Sequence, residues 1–170
     1  MNLFKINRET LLKPLQAVSG IIERRHTLPI LSNVLLSRTE EKIEFVATDI
    51  EIEISSSTAV SGQGEAKTTT VGARKLLDIL RALPEGSDVA VTLQDKRLQI
   101  RAGKSRFNLQ TLSPEDFPRL APADGQSVDF RVPQALLKDL IGLVQYAMAQ
   151  QDIRYYLNGL LMVVENGHLH

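Results

Sequence analysis

The residue types that could carry chemistry are few, and their spacing argues against catalysis. The three histidines are His26, His168 and His170. His168 and His170 stand two apart on the last residues, which suits a frayed terminus better than a metal pair. Cysteine is absent, so there is no thiolate nucleophile and no disulfide framework. Gly62-Gln63-Gly64 falls between strand-like segments and not between a strand and a helix, so it reads as a turn, not a phosphate loop. No serine or threonine stands in a nucleophile motif. Acidic residues gather at Glu40, Glu41, Glu44, Asp49, Glu51 and Glu53. Alternation places several of them on one strand face, which suits a solvated surface more than an acid/base pair. The chain reads as non-enzymatic, with no metal and no cofactor.

The cations say more. Arg74, Lys75 and Arg81 share one helix candidate with a single acid, Asp78. Lys13 and Lys138 hold matching places on two other helix candidates, and Arg24 and Arg25 follow the first. If each helix lays its apolar face on a sheet, these cations crowd the opposite face. A solvated helix face and a polyanion-facing one fit equally well. A second cluster is Lys96, Arg97, Arg101, Lys104 and Arg106, around a hairpin turn expected at Ala102-Gly103 and beside Phe107. It fits a protected sheet edge or a docking surface for an acidic partner.

Three helices must position these groups. The first is predicted over Arg8 to Ser19, capped by Asn7, with Leu11, Leu12, Leu15 and Val18 on one face. Pro14 should kink or shorten it. The second is predicted over Ala73 to Leu83, with Leu76, Leu77, Leu80 and Leu83 at the same spacing and Pro84 and Gly86 ending it. The third spans Pro133 to Ala149, with Pro133 suited to a helix start. Strand signals fill the gaps. Ile43, Phe45 and Ala47 alternate with Glu44, Val46 and Thr48, Ile50, Ile52 and Ile54 alternate with Glu51, Glu53 and Ser55, and Val89 to Leu93, Leu98 to Ile100 and Phe107 to Leu109 do likewise. The fold class is α+β.

The order of strand, helix and three strands occurs twice before residue 120, at an offset of about 65 residues. A larger offset of about 126 residues also appears. Phe4-Lys5-Ile6 with Leu11-Leu12-Lys13-Pro14-Leu15 matches Phe130-Arg131-Val132 with Leu136-Leu137-Lys138-Asp139-Leu140. Leu31-Ser32-Asn33-Val34-Leu35-Leu36 matches Leu157-Asn158-Gly159-Leu160-Leu161-Met162. Pro114, Pro118 and Pro122 mark Ser113 to Gln126 as linker-like. The expected organisation is a complete module over 1–120, a linker at 121–126, and a second module begun at 127–170 and broken off inside a strand. Such an unfinished copy should fold poorly alone.

Composition bounds the remainder. With 43% hydrophobic residues the chain is a folded globular protein, not a disordered one. No apolar run reaches the roughly 18 residues of a membrane span, and the N-terminus lacks a signal peptide, so a cytoplasmic protein is expected. Twenty basic residues balance twenty acidic ones. A chain with no net charge is not a usual nucleic-acid binder, unless the charges are sorted onto different faces.

Several blocks together resemble the bacterial DNA polymerase III beta subunit, the sliding clamp. They are Leu11-Leu12-Lys13-Pro14-Leu15, Thr27-Leu28-Pro29-Ile30-Leu31, Ala47-Thr48-Asp49, Ala73-Arg74-Lys75, Leu83-Pro84-Glu85-Gly86, Ser105-Arg106-Phe107, Asp116-Phe117-Pro118 and Gln151 to Gly159. The resemblance spans essentially the whole chain. It implies a DNA-clamp fold of duplicated βαβββ units, three such domains per protomer, and a homodimer ring closed head to tail around double-stranded DNA. Helices would line the hole and meet phosphate without reading sequence.

By that resemblance, DNA contacts fall on Arg25, Arg74, Gln151, Tyr155 and Tyr156, and the helix cations Lys13, Arg81 and Lys138 join them. A peptide pocket for polymerase subunits and the clamp loader begins on Arg154, Tyr156 and Leu157. The protomer interface maps to Arg97, Lys104, Arg106 and Phe107, with Lys104 in place of a usual Arg and so without its fork. Arg24 and His26 depart from the familiar residues beside Arg25. The implied function is a processivity factor that tethers the replicative polymerase, of which this chain would carry domain one and part of domain two. The alternative is a stand-alone truncated clamp that acts as an interaction module without closing a ring.

Overall fold

The computed structural model describes residues 2–22, 28–62, 64–121, 130–150 and 152–170, with Tyr155 described through its backbone alone. The chain divides into two compact units, 1–122 and 123–170.

The first unit contains β1 (Asn2–Asn7), α1 (Arg8–Val18), β2 (Asn33–Arg38), β3 (Lys42–Thr48), β4 (Glu53–Ala59), β5 (Lys67–Gly72), α2 (Ala73–Ala82), β6 (Asp88–Gln94), β7 (Arg97–Ala102) and β8 (Ser105–Gln110). A shift of about 65 residues carries β1 onto β5 and the start of α1 onto the start of α2. All strands pair antiparallel, in two sheets of order β4-β3-β2-β5 and β1-β6-β7-β8. Each half therefore gives its first strand to the other half's three-stranded meander. β1 pairs with β6, and β5 pairs with β2.

Both helices form where the apolar period is 3.6. Leu11, Pro14, Leu15 and Val18 are the buried stripe of α1, and Ala73, Leu76, Leu77 and Leu80 that of α2. The Asn7 side chain caps α1 by accepting from the Glu9 amide at 2.9 Å. The helix runs through Pro14 without a break, with the ring buried in the stripe. The end of α2 is closed from outside. Arg8 Nε donates to the Leu80 carbonyl at 2.6 Å, and a terminal nitrogen of Arg8 donates to the Arg81 carbonyl at 3.2 Å. These carbonyls have no partner within the helix. The two stripes and the facing sheet residues make one core, in which Leu15, Val34, Phe45, Val71, Leu80 and Ile100 are almost fully buried. Each such side chain contributes about 1.5–3 kcal/mol through its burial.

Two sequence expectations need correction here. The alternation from Ile50 to Ser55 is not one strand, because β4 begins only at Glu53. Asp49 accepts from the Glu51 and Ile52 amides, and the Thr48 hydroxyl bonds both the Ile50 amide and the Ile52 carbonyl. These side chains turn the chain back, with Ile50 at φ 85, and leave Ile50 and Ile52 half exposed. The second correction is the stretch from Ser113 to Leu120, which is a strap and not a free linker. Thr70 Oγ1 accepts from the Leu112 amide at 3.2 Å and donates to its carbonyl at 3.0 Å. Phe117 is buried on Leu35 and Val46 beside Ile30. Glu53 holds Arg119 and the Leu120 amide. The anchors sit on β5, then β2 and β3, then β4, so the strap crosses the whole outer face of the sheet.

The second unit contains α3 (Gln134–Val144) and the two-residue strands β9 (Val164–Glu165) and β10 (His168–Leu169). A 3-10 turn at Gln145–Ala147 replaces the predicted end of this helix. A shift of about 126 residues carries α1 onto α3, the 3-10 turn at Ser19–Ile21 onto Gln145–Ala147, and the turn at Pro29–Ser32 onto Tyr155–Asn158. The pairing of Arg38 with Ile43 becomes that of Val164 with Leu169. None of the described residues from 130 to 170 is buried. Leu136 and Leu143 of α3 are half or more exposed, whereas Leu11 and Leu15 of α1 are not.

Candidate nucleic-acid and partner surfaces

In the first unit, the polar sides of α1 and α2 form the candidate nucleic-acid surface. Lys13, Arg74, Lys75 and Arg81 are all exposed, on helices whose opposite sides are buried. Arg74 and Arg81 share a groove of about 420 Å³ with Asp78, with Gln16 of α1, and with Ser19 and Gly20 of the 3-10 turn that follows it. Gln16 and Ser19 were not legible as site residues, because nothing in their spacing tells which helix lies beside them. Lys13 is placed in another groove, with Thr10, Glu9 and the hydroxyls of Ser56, Ser57 and Thr58 on β4. Such hydroxyls and cations can bind phosphate oxygens without reading bases. Arg25 and Gln151 lie outside the described residues, as does the Tyr155 side chain.

In the second unit, Lys138 is exposed on α3. Asp152 organises the loop that carries Arg154, Tyr156 and Leu157. Its carboxylate accepts from the Arg154 amide at 2.8 Å and from Arg154 Nε at 3.0 Å and a terminal nitrogen at 3.1 Å. Asn158 closes the turn, accepting from the Asp152 amide and donating to its carbonyl. The guanidinium hydrogen bonds hold Asp152 below the usual carboxylate range and raise Arg154 further. Tyr156 is exposed and Leu157 half-buried. Asp152 and Asn158 lie in the Gln151 to Gly159 block that carries the resemblance, but neither was predicted as a site residue, since their roles depend on the loop's closure.

The basic hairpin is β7 and β8. Its two-residue turn is Gly103-Lys104, one position later than expected, with Gly103 at φ 53. Arg97, Lys104 and Arg106 are exposed, and β8 is an edge strand. Phe107 stands opposite Ile100 and packs against the core from its rim. Among the described residues, no group of three or more His, Cys, Asp or Glu is placed to hold a metal ion. No helix among them is long and apolar enough to cross a membrane.

Two four-stranded sheets crossed by paired helices, with exposed cations on the helices, define a sliding-clamp architecture. Residues 1–121 match the DNA polymerase III beta subunit, N-terminal domain, and the chain belongs to that family. It is 52% identical over 167 residues to the beta sliding clamp of Proteus mirabilis and 48% identical to that of Escherichia coli strain K12. In each case 98% of this chain and 45% of the relative are covered, so the chain spans about half the length of the curated relatives it matches. The crystal structure of the DNA polymerase III subunit beta from Pseudomonas aeruginosa superposes with a TM-score of 0.92 at 44% identity, over 99% of this chain and 45% of that one. A second structure from that organism has the sliding clamp bound to griselimycin. The α+β clamp fold follows from these likenesses.

Proposed function

We propose that this chain supplies domain one, residues 1–120, and the opening of domain two, residues 127–170, of a processivity clamp that encircles duplex DNA and tethers a polymerase. Residues 121–126 would join the two. The carrying observation is the sorting of charge. A chain with no net charge shows exposed Lys13, Arg74, Lys75 and Arg81 on helices whose other sides are buried. Phosphate binding there is electrostatic and independent of sequence. The helix cations, with Arg25, Gln151, Tyr155, Tyr156 and Lys138, are the proposed DNA contacts. Arg154, Tyr156 and Leu157 would begin the pocket for a polymerase or clamp-loader peptide, where a planar guanidinium and a ring suit an apolar anchor. The edge of β8, with Arg97, Lys104, Arg106 and Phe107, would meet the partner protomer. The protein is proposed to act without catalysis and in the cytoplasm.

The test compares the full-length protein with its Arg74→Ala/Arg81→Ala variant on nicked circular DNA across a salt series. Each lost phosphate contact should lower the slope of log affinity against log salt by about 1, uniformly across DNA sequences. An unchanged slope would remove these arginines from the DNA surface. The 170-residue chain alone should be retained far less than the full-length ring, since linkage and not affinity holds a clamp on DNA. Comparable retention by the two would refute the encircling role.

A further inference from the structure

Asp78 is the one acid of α2, and the helix itself gives no reason for it. It is exposed and stands past the first turn, so it gains nothing from the positive end of the helix dipole. Aspartate is also a weak helix former at an interior position. Among the described residues it has no ion-pair partner. Its surroundings are specific. Asp78 follows Arg74 by four residues and precedes Arg81 by three, so the three share one side of α2. They are spaced about 6 Å and about 4.5 Å along the helix axis. All three line the groove of about 420 Å³ that Gln16 and Ser19 also border. Both separations are shorter than the Debye length of about 8 Å at physiological salt. A phosphate held by either arginine therefore meets the Asp78 charge with little screening.

We propose that Asp78 determines mobility on DNA: a fixed repulsive charge that keeps the phosphate contacts of Arg74 and Arg81 weak and short-lived. The backbone then passes along the groove instead of lodging in it. The inference rests on the reading of these helices as a DNA surface. Arginine forms strong, forked, charge-assisted bonds to phosphate, and two in one groove would hold a backbone in place. A ring that keeps DNA by linkage has no use for that strength, which acts as friction. An ionised carboxylate only accepts hydrogen bonds, so it offers a phosphate none. Placed between the arginines, it subtracts from both contacts at once, whereas loss of one arginine would leave the other at full strength. The competing role is an ordinary helix pair with a cation three or four residues away, which would stabilise α2 and leave DNA binding to the arginines alone.

The test uses the full-length protein, a short fluorescein-labelled duplex read by anisotropy across a salt series, and tracking of the loaded ring along stretched DNA. Asp78→Asn keeps the side chain's size and removes its charge. It should raise affinity about three- to tenfold at low salt. It should steepen the slope of log affinity against log salt by up to about 1, the opposite of an arginine loss. Diffusion along DNA should slow several-fold, and the urea midpoint should hardly move. Asp78→Glu restores the charge and should behave like the parent. If Asp78→Asn changes neither affinity nor diffusion while Arg74→Ala/Arg81→Ala lowers the slope, the inference is overturned and the DNA surface stands. If neither variant moves the slope, the DNA surface is refuted and the inference falls with it. Tighter binding with unchanged diffusion would also overturn it, because the charge would not set mobility. Weaker binding together with a lowered urea midpoint would overturn it in favour of the helix pair.

Discussion

Arg119 donates to both carboxylate oxygens of Glu53, each at 2.9 Å, and the Leu120 amide adds a third bond at 3.1 Å. This clasp fixes the far end of the strap to the first residue of β4. Burial pushes the Glu53 carboxyl up, but the Arg119 fork and the Leu120 N–H outweigh it and hold it below its ordinary value of 4.5. A depressed carboxyl stabilises the fold above its unfolded pKa, and the contribution fades as pH falls through the folded value. Arg119 is half exposed, so Glu53→Gln should cost about 1 kcal/mol or less at neutral pH. The difference from the parent chain should vanish in acid. Urea titrations at both pH values measure it, and a difference that grows in acid would contradict the sign.

Phe117 is the apolar rivet of the same strap. It is 4% exposed and seated on Leu35 and Val46. Phe117→Ala removes most of the cover of a small cluster, which cannot repack from elsewhere. The expected loss is about 3 kcal/mol by chemical denaturation. Arg119→Ala should add less than its single-variant cost on top, because both residues hold one segment. Strict additivity would mean that the strap does not act as a unit.

The parts legible in the sequence were those set by local period and chemistry. Leu11 to Val18 and Ala73 to Leu80 repeat at helical spacing over several turns, so α1 and α2 were placed almost to the residue. The exchange of β1 and β5 between meanders was not legible. Alternation tells which side of a strand is buried and never which strand lies beside it. The turn at Asp49 was hidden because Ile50, Ile52 and Ile54 continue an alternating pattern, while the deciding bonds come from Thr48 and Asp49 side chains. Three prolines made Ser113 to Gln126 look detached, yet one well-placed Phe and one Glu–Arg pair fasten its first part. The cations of the helix face were visible as residues. The companionship of Arg74 and Arg81 with Gln16 and Ser19 needed the helices' packing.

Arg38 is a departure from good packing. It is 3% exposed, and among the described residues its side chain makes one hydrogen bond, from a terminal nitrogen to the Gly62 carbonyl at 3.2 Å. Its Nε and other terminal nitrogen are buried without partners among the described residues. An unmatched buried donor costs about 1–3 kcal/mol, and more on a charged group. Arg38→Met keeps the length of the stem and removes those donors, so it should raise stability by about 1 kcal/mol or more. Neighbouring Gly64 should behave oppositely. A Cβ there would overlap the Leu3 carbonyl, and both partners are main chain. Gly64→Ala should therefore lower the melting midpoint while Arg38→Met raises it. Destabilisation by Arg38→Met would mean that the guanidinium has an acceptor in solution.

Asp152 and Asn158 set the last prediction, because they shape the loop that presents Arg154. The Asp152 carboxylate takes both the amide and the side-chain fork of Arg154, so the guanidinium is held in one orientation before any ligand arrives. Preorganisation of that kind raises affinity by sparing the ordering cost at binding. In the full-length protein, Asp152→Asn leaves one oxygen and removes the charge, and Arg154 should then sample other rotamers. Affinity for a polymerase-derived apolar peptide should fall several-fold, mainly through faster dissociation, and Asn158→Ala should act in the same direction by opening the turn at Asp152. Surface plasmon resonance with the two variants and with Arg154→Ala measures this. If Asp152→Asn strengthened binding, Asp152 would be a competitor of the ligand for Arg154 instead of the group that positions it.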